Sequence, residues 1–263
     1  MSPLLTLTTD YGSASPYPAQ LKAVLLSAIP DARIADVTHD VPAFDVRAGA
    51  LILEAAVPWF PREAVHVAVV DPGVGTTRRA IAVVDPEGRR LVGPDNGLLT
   101  PFLGPGARVR AIAERGGVIP SPRYATFHGR DLFAPAAAYL ARGGTPAALG
   151  PEVDDPIRLD WPAARRDGDA LLGEVVGVDH FGNLLTSIRD VDLGGAAVMQ
   201  VDVGGRPARF VRTFGEGDRG ELLALVGSSG RLELAVREAS AERSLGGGSG
   251  LAVRVVLGQA ASA

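Results

Sequence analysis

The chain has 263 residues, enough for one large domain or two smaller ones with a sizeable buried core, and this excludes a peptide hormone or an isolated binding motif. Its formal net charge of -4 gives no general basic field for a polyphosphate backbone, so no nucleic-acid partner is expected. The lack of cysteine excludes disulfides, thiolate zinc sites and cysteine nucleophiles.

Two features argue against a membrane-bound or secreted protein. No apolar run approaches the roughly 20 residues that a membrane-spanning helix needs. The stretch from Met1 to Thr6 lacks the basic and apolar regions of a signal peptide. We therefore expect a cytoplasmic protein with no membrane partner.

The first part of the chain has the pattern of an α/β domain. Up to about residue 150, short β-branched runs alternate with helical stretches, which is typical of βαβ units around a largely parallel sheet. Strands are predicted at residues 4–8, 65–70 and 81–84, and helices at residues 19–29, 46–57 and 131–141. Residues 1–160 are predicted to form this N-terminal domain.

The pattern changes after a segment rich in proline and charge, residues 151–169, where we place the domain boundary. Short apolar runs then alternate with glycine-rich turns, and Gly204-Gly205 predicts a hairpin. The predicted strands are residues 174–179, 198–203, 208–213, 222–226, 232–236 and 252–257. Residues 170–263 are therefore predicted to form a smaller all-β, barrel-like C-terminal domain.

Polar residues follow the first strand and the most hydrophobic strand, where an open α/β sheet binds its ligands. Asp10 and Asp71 lie at these strand ends, and His128 directly precedes a predicted helix. The alternative is that both aspartates only accept local backbone hydrogen bonds in turns. In the second domain, the polar turns at residues 178–183 and 226–230 are by themselves ordinary hairpin chemistry, and Phe214 is either a core residue or exposed for stacking.

Other enzyme classes have weaker support. A metal-dependent phosphoesterase would need a cluster of hard ligands, but no close H-x-H or H-E-x-x-H spacing occurs. No G-x-S-x-G motif indicates a serine hydrolase. His66 lies inside a strand and is predicted to be a core residue. The candidate metal ligands are Asp10, His39, Asp40, Asp71 and His128.

Seven short segments, in this order, resemble those of one enzyme family. They are LTTDYG at 7–12, DVTHDVP at 36–42, VDPGVGT at 70–76, GPDNGLL at 93–99, TFHGRD at 126–131, DHFGN at 179–183 and GSSG at 227–230. The chain resembles the S-adenosyl-L-methionine (SAM) hydroxide adenosyltransferases, the adenosine-forming SAM hydrolases related to fluorinase and chlorinase. The likeness runs nearly from end to end.

The resemblance implies an α/β N-terminal domain, a β-barrel C-terminal domain and a homotrimer with active sites at subunit interfaces. It also implies the reaction, in which water or hydroxide displaces methionine from C5′ of SAM, with no cofactor and no metal. The halogenating branch carries a tyrosine where Asp71 stands and a long insertion before the segment matching Pro94, so both features favour the hydroxide branch. A SAM- or adenosine-binding trimer without activity is the main alternative.

The resemblance also assigns roles to individual residues. The family's catalytic triad falls on Asp71, Arg78 and His128. Asp10 would accept hydrogen bonds from the ribose hydroxyls, and Phe44 would pack on the sugar or the methionine. The remaining substrate-binding residues are Asp179, Ser228 and Ser229 for the two ends of methionine, Asn183 for the adenine edge, and Phe181 and Phe214 for packing on the nucleoside.

Overall fold

The computed structural model describes residues 2–114 and 117–258. The chain divides into two compact units, residues 1–160 and residues 161–263, and each is described by itself. Within the described ranges, every helix is too short or too polar to cross a membrane.

The first unit is built on a twisted sheet. Its strands are β1 (Leu4–Thr9), β2 (Arg33–Thr38), β3 (Val65–Val69), β4 (Ala80–Val84), β5 (Arg90–Pro94) and β6 (Arg108–Ala111). They lie in the order β2-β1-β3-β5-β4-β6, where the first four are parallel and β4 is antiparallel to both β5 and β6. The prediction of a largely parallel sheet is confirmed.

Helices cover both faces of this sheet, which explains why β3 is buried along its whole length. They are α1 (Tyr17–Ala28), α2 (Val46–Ala56) and α3 (Ala134–Ala141). The first and third pack in one core cluster with β1 and β3, and α2 packs in a second cluster with Val70 and Ile81. Asp45 caps α2 by accepting a hydrogen bond from the backbone of Ala48 at 2.9 Å.

The second unit is a closed β-barrel, as predicted. Its strands are β7 (Arg165–Asp167), β8 (Ala170–Val178), β9 (Leu184–Arg189), β10 (Val198–Val203), β11 (Arg206–Phe210), β12 (Leu222–Val226), β13 (Arg231–Val236) and β14 (Ala252–Leu257). Pairing of β14 with β8 closes the ring of β8 to β14, and β7 adds to β8. Short helices α4 (Asp190–Leu193) and α5 (Ala241–Leu245) flank the strands.

The predicted glycine hairpin of the barrel is confirmed. Val203 of β10 pairs with Arg206 of β11, so Gly204 and Gly205 form the two-residue turn. Both have positive φ, 55° and 83°, the backbone that a tight hairpin turn between twisted strands requires.

His66 of β3 is a core residue, as predicted, and it makes the stability of the protein depend on pH. Its ring is 0% exposed, and its Nδ1 lies 2.7 Å from the hydroxyl of Thr6. Burial, with a smaller effect from the charge of Arg89, lowers the pKa of His66 to about 4. Between pH 6.5 and 4, the unfolded chain, with an ordinary histidine pKa near 6.5, therefore binds a proton at this residue that the folded chain does not bind.

The free energy of unfolding is expected to fall by about 3 kcal/mol as the pH is lowered from 6.5 to 4, because each pKa unit corresponds to about 1.4 kcal/mol. Urea unfolding at several pH values between 7 and 4 measures this slope. The variant His66→Gln keeps a neutral polar side chain beside Thr6 and should lose that part of the slope. Equal slopes in both proteins would contradict the assignment to His66.

Candidate active site

Two predicted site carboxylates lie at neighbouring strand ends of the first unit. Asp10 follows β1 and Asp71 follows β3, and these strands are adjacent and parallel. Together with Phe44 and His128, both aspartates line one cleft of about 230 Å³. The sheet edge thus brings together four of the residues that the sequence singled out.

Arg78 joins Asp71 to His128. Its Nε lies 2.9 and 3.1 Å from the two carboxylate oxygens of Asp71, and its Nη2 contacts Asp71 Oδ2 and lies 2.9 Å from His128 Nδ1. The side chains of Arg78 and Asp71 are only 8% and 6% exposed. A buried, forked guanidinium of this kind fixes both partners in distance and direction.

The protonation of His128 follows from this contact. Arginine has only donors, so Nδ1 of His128 accepts the hydrogen bond and the ring proton lies on Nε2. Burial, followed by the adjacent charge of Arg78, lowers the pKa of His128 below its ordinary value. At neutral pH His128 is therefore a neutral imidazole with a known tautomer.

The loop from Asp71 to Arg78 is held by its own turn chemistry. The carbonyl of Gly73 accepts hydrogen bonds from the backbone and the hydroxyl of Thr76, at 3.2 and 2.7 Å. Gly75 has φ 77°, and a Cβ there would lie 3.1 Å from the carbonyl oxygen of Ala125. The loop therefore packs closely against the segment that leads to His128.

Asp10 controls the backbone of Phe44. Its Oδ2 accepts a hydrogen bond from the Phe44 amide at 3.0 Å. Phe44 has φ 67°, a left-handed conformation that side chains other than glycine rarely adopt, and its ring is 70% exposed at the cleft. The carboxylate thus stabilises a strained residue that presents an aromatic ring to the cleft.

Tyr11 is a cleft residue that was not among the predicted site residues. Burial, with smaller effects from Asp10 and Asp71, raises the pKa of its phenol, which stays protonated. Its ring packs against Phe127 with centroids 5.5 Å apart. A Cβ at Gly129 would overlap the Tyr11 hydroxyl, so the glycine after His128 makes room for this ring. The signal was present, since both residues belong to the quoted motifs.

A second group of predicted residues lines a cavity of about 620 Å³ in the barrel unit. Phe181, Asn183 and Phe214 lie on its wall beside residues 236–240 and Arg243. Phe214 is 43% exposed, so the interpretation of Phe214 as a core residue is wrong. Phe214 begins a short 3-10 helix, Phe214–Glu216, in which no residue is buried.

Asp179 organises this wall without lining it. Its carboxylate accepts hydrogen bonds from the backbone amides of Phe181 and Asn183 and from the Asn183 side chain, each at 2.8 Å. The turn chemistry that the sequence indicated is therefore present, and it fixes the direction of the Asn183 amide. Asp179 can accept further bonds, because a carboxylate has about four acceptor positions.

Ser228 and Ser229 also lie outside the lining of that cavity, in the turn between β12 and β13. The buried carboxyl of Glu233 faces this turn, and burial together with the charge of Asp179 raises its pKa. A Cβ at Gly227 would overlap that carboxyl, so any larger residue there would require the Glu233 side chain to move. Glu233 was missed from the sequence because it is a single carboxylate within the predicted strand at residues 232–236, whose other residues are apolar.

The described residues contain no group of three or more histidine, aspartate or glutamate side chains placed to hold a metal ion. Two of the candidate ligands have other partners. His39 Nδ1 lies 2.8 Å from the hydroxyl of Thr9 and its Nε2 lies 3.2 Å from Asp36 Oδ1, and Asp40 accepts hydrogen bonds from Ser13.

Comparison with known proteins gives the same family for both units. A family model described as the SAM hydroxide adenosyltransferase N-terminal domain matches residues 5–150, and the corresponding C-terminal domain matches residues 173–254. A protein of Thermus thermophilus named (R)-S-adenosyl-L-methionine hydrolase is 43% identical, over 97% of this chain and 100% of its own length. A Salinispora tropica protein of the same name is 44% identical, over 98% and 99%.

A more distant relative and a solved crystal structure also match nearly the whole chain. A fluorinase from Actinopolyspora mzabensis is 29% identical over 96% of this chain and 97% of its own length. The crystal structure of a conserved protein from Thermotoga maritima superposes with a TM-score of 0.86 at 35% identity, covering 96% of this chain and 99% of that one. With two family models and full-length relatives above 40% identity, this chain belongs to the SAM hydroxide adenosyltransferase family.

Proposed function

We propose that this protein is an adenosine-forming SAM hydrolase, in which water or hydroxide attacks C5′ of the ribose and displaces L-methionine. The observation that carries the proposal is the buried bridge from Asp71 through Arg78 to His128, at the edge of a cleft that also contains Asp10 and Phe44. The names of the Thermus and Salinispora relatives support the same reaction.

The chemistry needs little from the protein beyond an oriented nucleophile. The sulfonium of SAM leaves as a neutral thioether, so no general acid has to protonate it. Asp71 accepts a hydrogen bond from the attacking water and takes its proton as the C5′–O bond forms. Arg78 balances the charge of Asp71 and fixes its direction. Such positioning can lower a barrier by about 7–11 kcal/mol.

The remaining residues of the cleft set the nucleophile and the substrate. His128 is neutral and carries its ring proton on Nε2, so it orients the attacking water by donating a hydrogen bond to its oxygen, while the proton of the water goes to Asp71. Asp10 accepts hydrogen bonds from the ribose hydroxyls, and Phe44 packs on the sugar or the methionine. A carboxylate at residue 71 also repels halide ions, which favours water as the nucleophile.

The barrel unit supplies the other substrate contacts of the proposal. Asn183, held by Asp179, recognises the adenine edge, while Phe181 and Phe214 pack on the nucleoside. Asp179, Ser228 and Ser229 bind the amino and carboxylate groups of methionine.

The enzyme is further proposed to be a cytoplasmic homotrimer with active sites at subunit interfaces. Light scattering tests that state, with a mass three times that of the 27.2 kDa chain.

Incubation of chelator-treated protein with SAM in ¹⁸O-labelled water tests the reaction. The expected result is methionine and adenosine with the label on the 5′ oxygen, read by mass spectrometry. Recovery of intact SAM would leave a binding protein, and calorimetry would then measure the binding. Activity that disappears with the chelator and returns with added metal would indicate a metal-dependent hydrolase instead.

The pH profile of the reaction is expected to report His128. Protonation would place a positive charge against Arg78 and remove the Nδ1 acceptor, so activity should fall at acidic pH. Because burial and Arg78 lower the pKa of His128, the acidic limb of kcat/KM should have its midpoint below the ordinary histidine value of about 6.5. A midpoint above that value, or an unchanged limb in His128→Asn, would contradict this role.

A further inference from the structure

The turn after β5, residues 95–97, lies between the two ends of the loop that carries both Asp71 and Arg78. In the sheet, β5 is placed between β3, which leads into Asp71, and β4, which begins directly after Arg79. Pro94 at the end of β5 pairs with Ala80 at the start of β4. The turn is therefore flanked by the segment that enters Asp71 and by the segment that leaves Arg78.

On the β3 side, Asn96 holds the peptide group that precedes Asp71. Its Nδ2 donates a hydrogen bond to the carbonyl oxygen of Val70 at 2.9 Å, and its Oδ1 accepts one from the amide of Leu98 at 3.1 Å. These two bonds fix the orientation of the side-chain amide, because donor and acceptor each have a matching partner. Asn96 therefore sets the direction in which the chain enters Asp71.

On the β4 side, Asp95 holds the residue that follows Arg78. Its side chain is 1% exposed, and Oδ2 accepts a hydrogen bond from Arg79 Nε at 2.7 Å. Its backbone amide donates to the Arg79 carbonyl at 2.9 Å, and Oδ1 accepts from the amide of Ile157 at 2.8 Å. A buried residue held by two bonds to its carboxylate and one from its backbone amide is a rigid anchor.

We propose that Asn96 and Asp95 are positioning residues of the hydrolase, which together fix the distance and angle between Asp71 and Arg78. This inference rests on the proposed function of those two residues. Neither Asn96 nor Asp95 lines the cleft, so they act through the backbone of their neighbours. A displacement of about 1 Å at a reacting group can cost about 100-fold in rate, which makes such anchors important for kcat.

Two nearly isosteric variants separate the two anchors. Asn96→Asp keeps the oxygen that accepts from Leu98 but places a second oxygen against the Val70 carbonyl. Asp95→Asn keeps the shape of the side chain and removes the charge that faces Arg79. In each variant kcat for SAM is expected to fall about 10-fold to 100-fold while KM stays within about threefold of wild type, since substrate contacts are untouched.

The chain offers a matched control at the other end of the same hairpin. Asp85, between β4 and β5, is a buried carboxylate that accepts hydrogen bonds from the Arg89 amide at 2.7 Å and from Arg89 Nη1 at 2.9 Å. Asp85→Asn should lower the melting temperature about as much as Asp95→Asn does, and should leave kcat within about twofold of wild type. The positioning role is overturned if kcat falls in proportion to the melting temperature in all three variants, including Asp85→Asn. It is also overturned if KM changes instead of kcat.

The variant Asp71→Asn, measured in the same assay, separates this inference from the proposed function. If Asp71→Asn keeps wild-type kcat, or wild type leaves SAM intact, the proposed function fails and this inference fails with it. If Asp71→Asn is slow while Asn96→Asp and Asp95→Asn keep wild-type kcat, only the positioning role is overturned. Where one of these two variants does not fold, the other decides.

Discussion

Asp71→Asn is expected to lower kcat for SAM hydrolysis by about 10²–10⁴-fold, the usual contribution of a positioned acid-base group. The amide keeps the size of the side chain, but it has no basic oxygen to take the proton of the attacking water. The NH₂ group of the new amide replaces one carboxylate oxygen and faces the N–H groups of Arg78. One hydrogen-bond acceptor for Arg78 is therefore lost, and the arginine is held less firmly in its orientation. The effect is measured as the rate of adenosine release at saturating SAM, with the adenosine quantified by chromatography.

The affinity for SAM provides the internal check on this variant. Because Asp71 is proposed to act on the nucleophile and not on SAM, the dissociation constant of SAM, measured by calorimetry, should change far less than kcat. A carboxylate outside the cleft, Glu152, pairs with Arg110 on the exposed surface, and Glu152→Gln should keep wild-type turnover. A kcat within threefold of wild type for Asp71→Asn would remove Asp71 from the mechanism.

Arg78→Met is expected to destabilise the protein by about 3–5 kcal/mol, because it leaves the buried carboxylate of Asp71 without its counterion. The guanidinium carbon of Arg78 also lies 5.4 Å from the centroid of the Phe133 ring, so the loss reports the ion pair together with this cation–π contact, while methionine keeps most of the length of the stem. Activity should fall together with stability. Urea unfolding at neutral pH, with turnover measured on the same preparation, gives both quantities.

The double variant Arg78→Met/Asp71→Asn separates the two effects. Removing the orphaned charge should recover a large part of the lost unfolding free energy, since replacing both members of a buried ion pair is often close to neutral. Turnover should stay at the level of the worse single variant, because both residues belong to one catalytic unit. A double variant that is no more stable than Arg78→Met would show that packing, and not charge, dominates at this position.

The sequence predicts β1, β3 and β4 of the first sheet, whereas β2, β5 and β6 were missed. The strands β2 and β6 lie at the edges of the sheet and charged residues interrupt their pattern, while β5 is buried inside the sheet but has only a short apolar run between Arg90 and Gly93. The strand β9 was also missed, because Thr186 and Ser187 are buried polar residues inside the barrel. Ser187 accepts a hydrogen bond from the amide of Glu174 across the sheet, a contact that no local pattern predicts.

The candidate site shows a similar division. Asp10 and Asp71 follow from their positions at strand ends, and both line the cleft. Arg78 lies seven residues beyond Asp71 in an irregular loop, so no periodicity could select it among 25 other basic residues, and it was assigned by the resemblance alone. The anchoring roles of Asp95 and Asn96 depend on β5 lying between β3 and β4, which is a property of the sheet order and not of the local sequence.

The left-handed backbone of Phe44 has a consequence for ligand affinity. A non-glycine residue in this conformation costs about 1–2 kcal/mol, and here that cost is met during folding by the bond to Asp10 and the surrounding structure. The backbone that carries the ring is therefore fixed before any ligand arrives. Binding then needs to order no backbone at this position, which is the usual thermodynamic advantage of preorganisation. The cleft exchanges some stability of the free protein for a backbone that is already in place for its ligand.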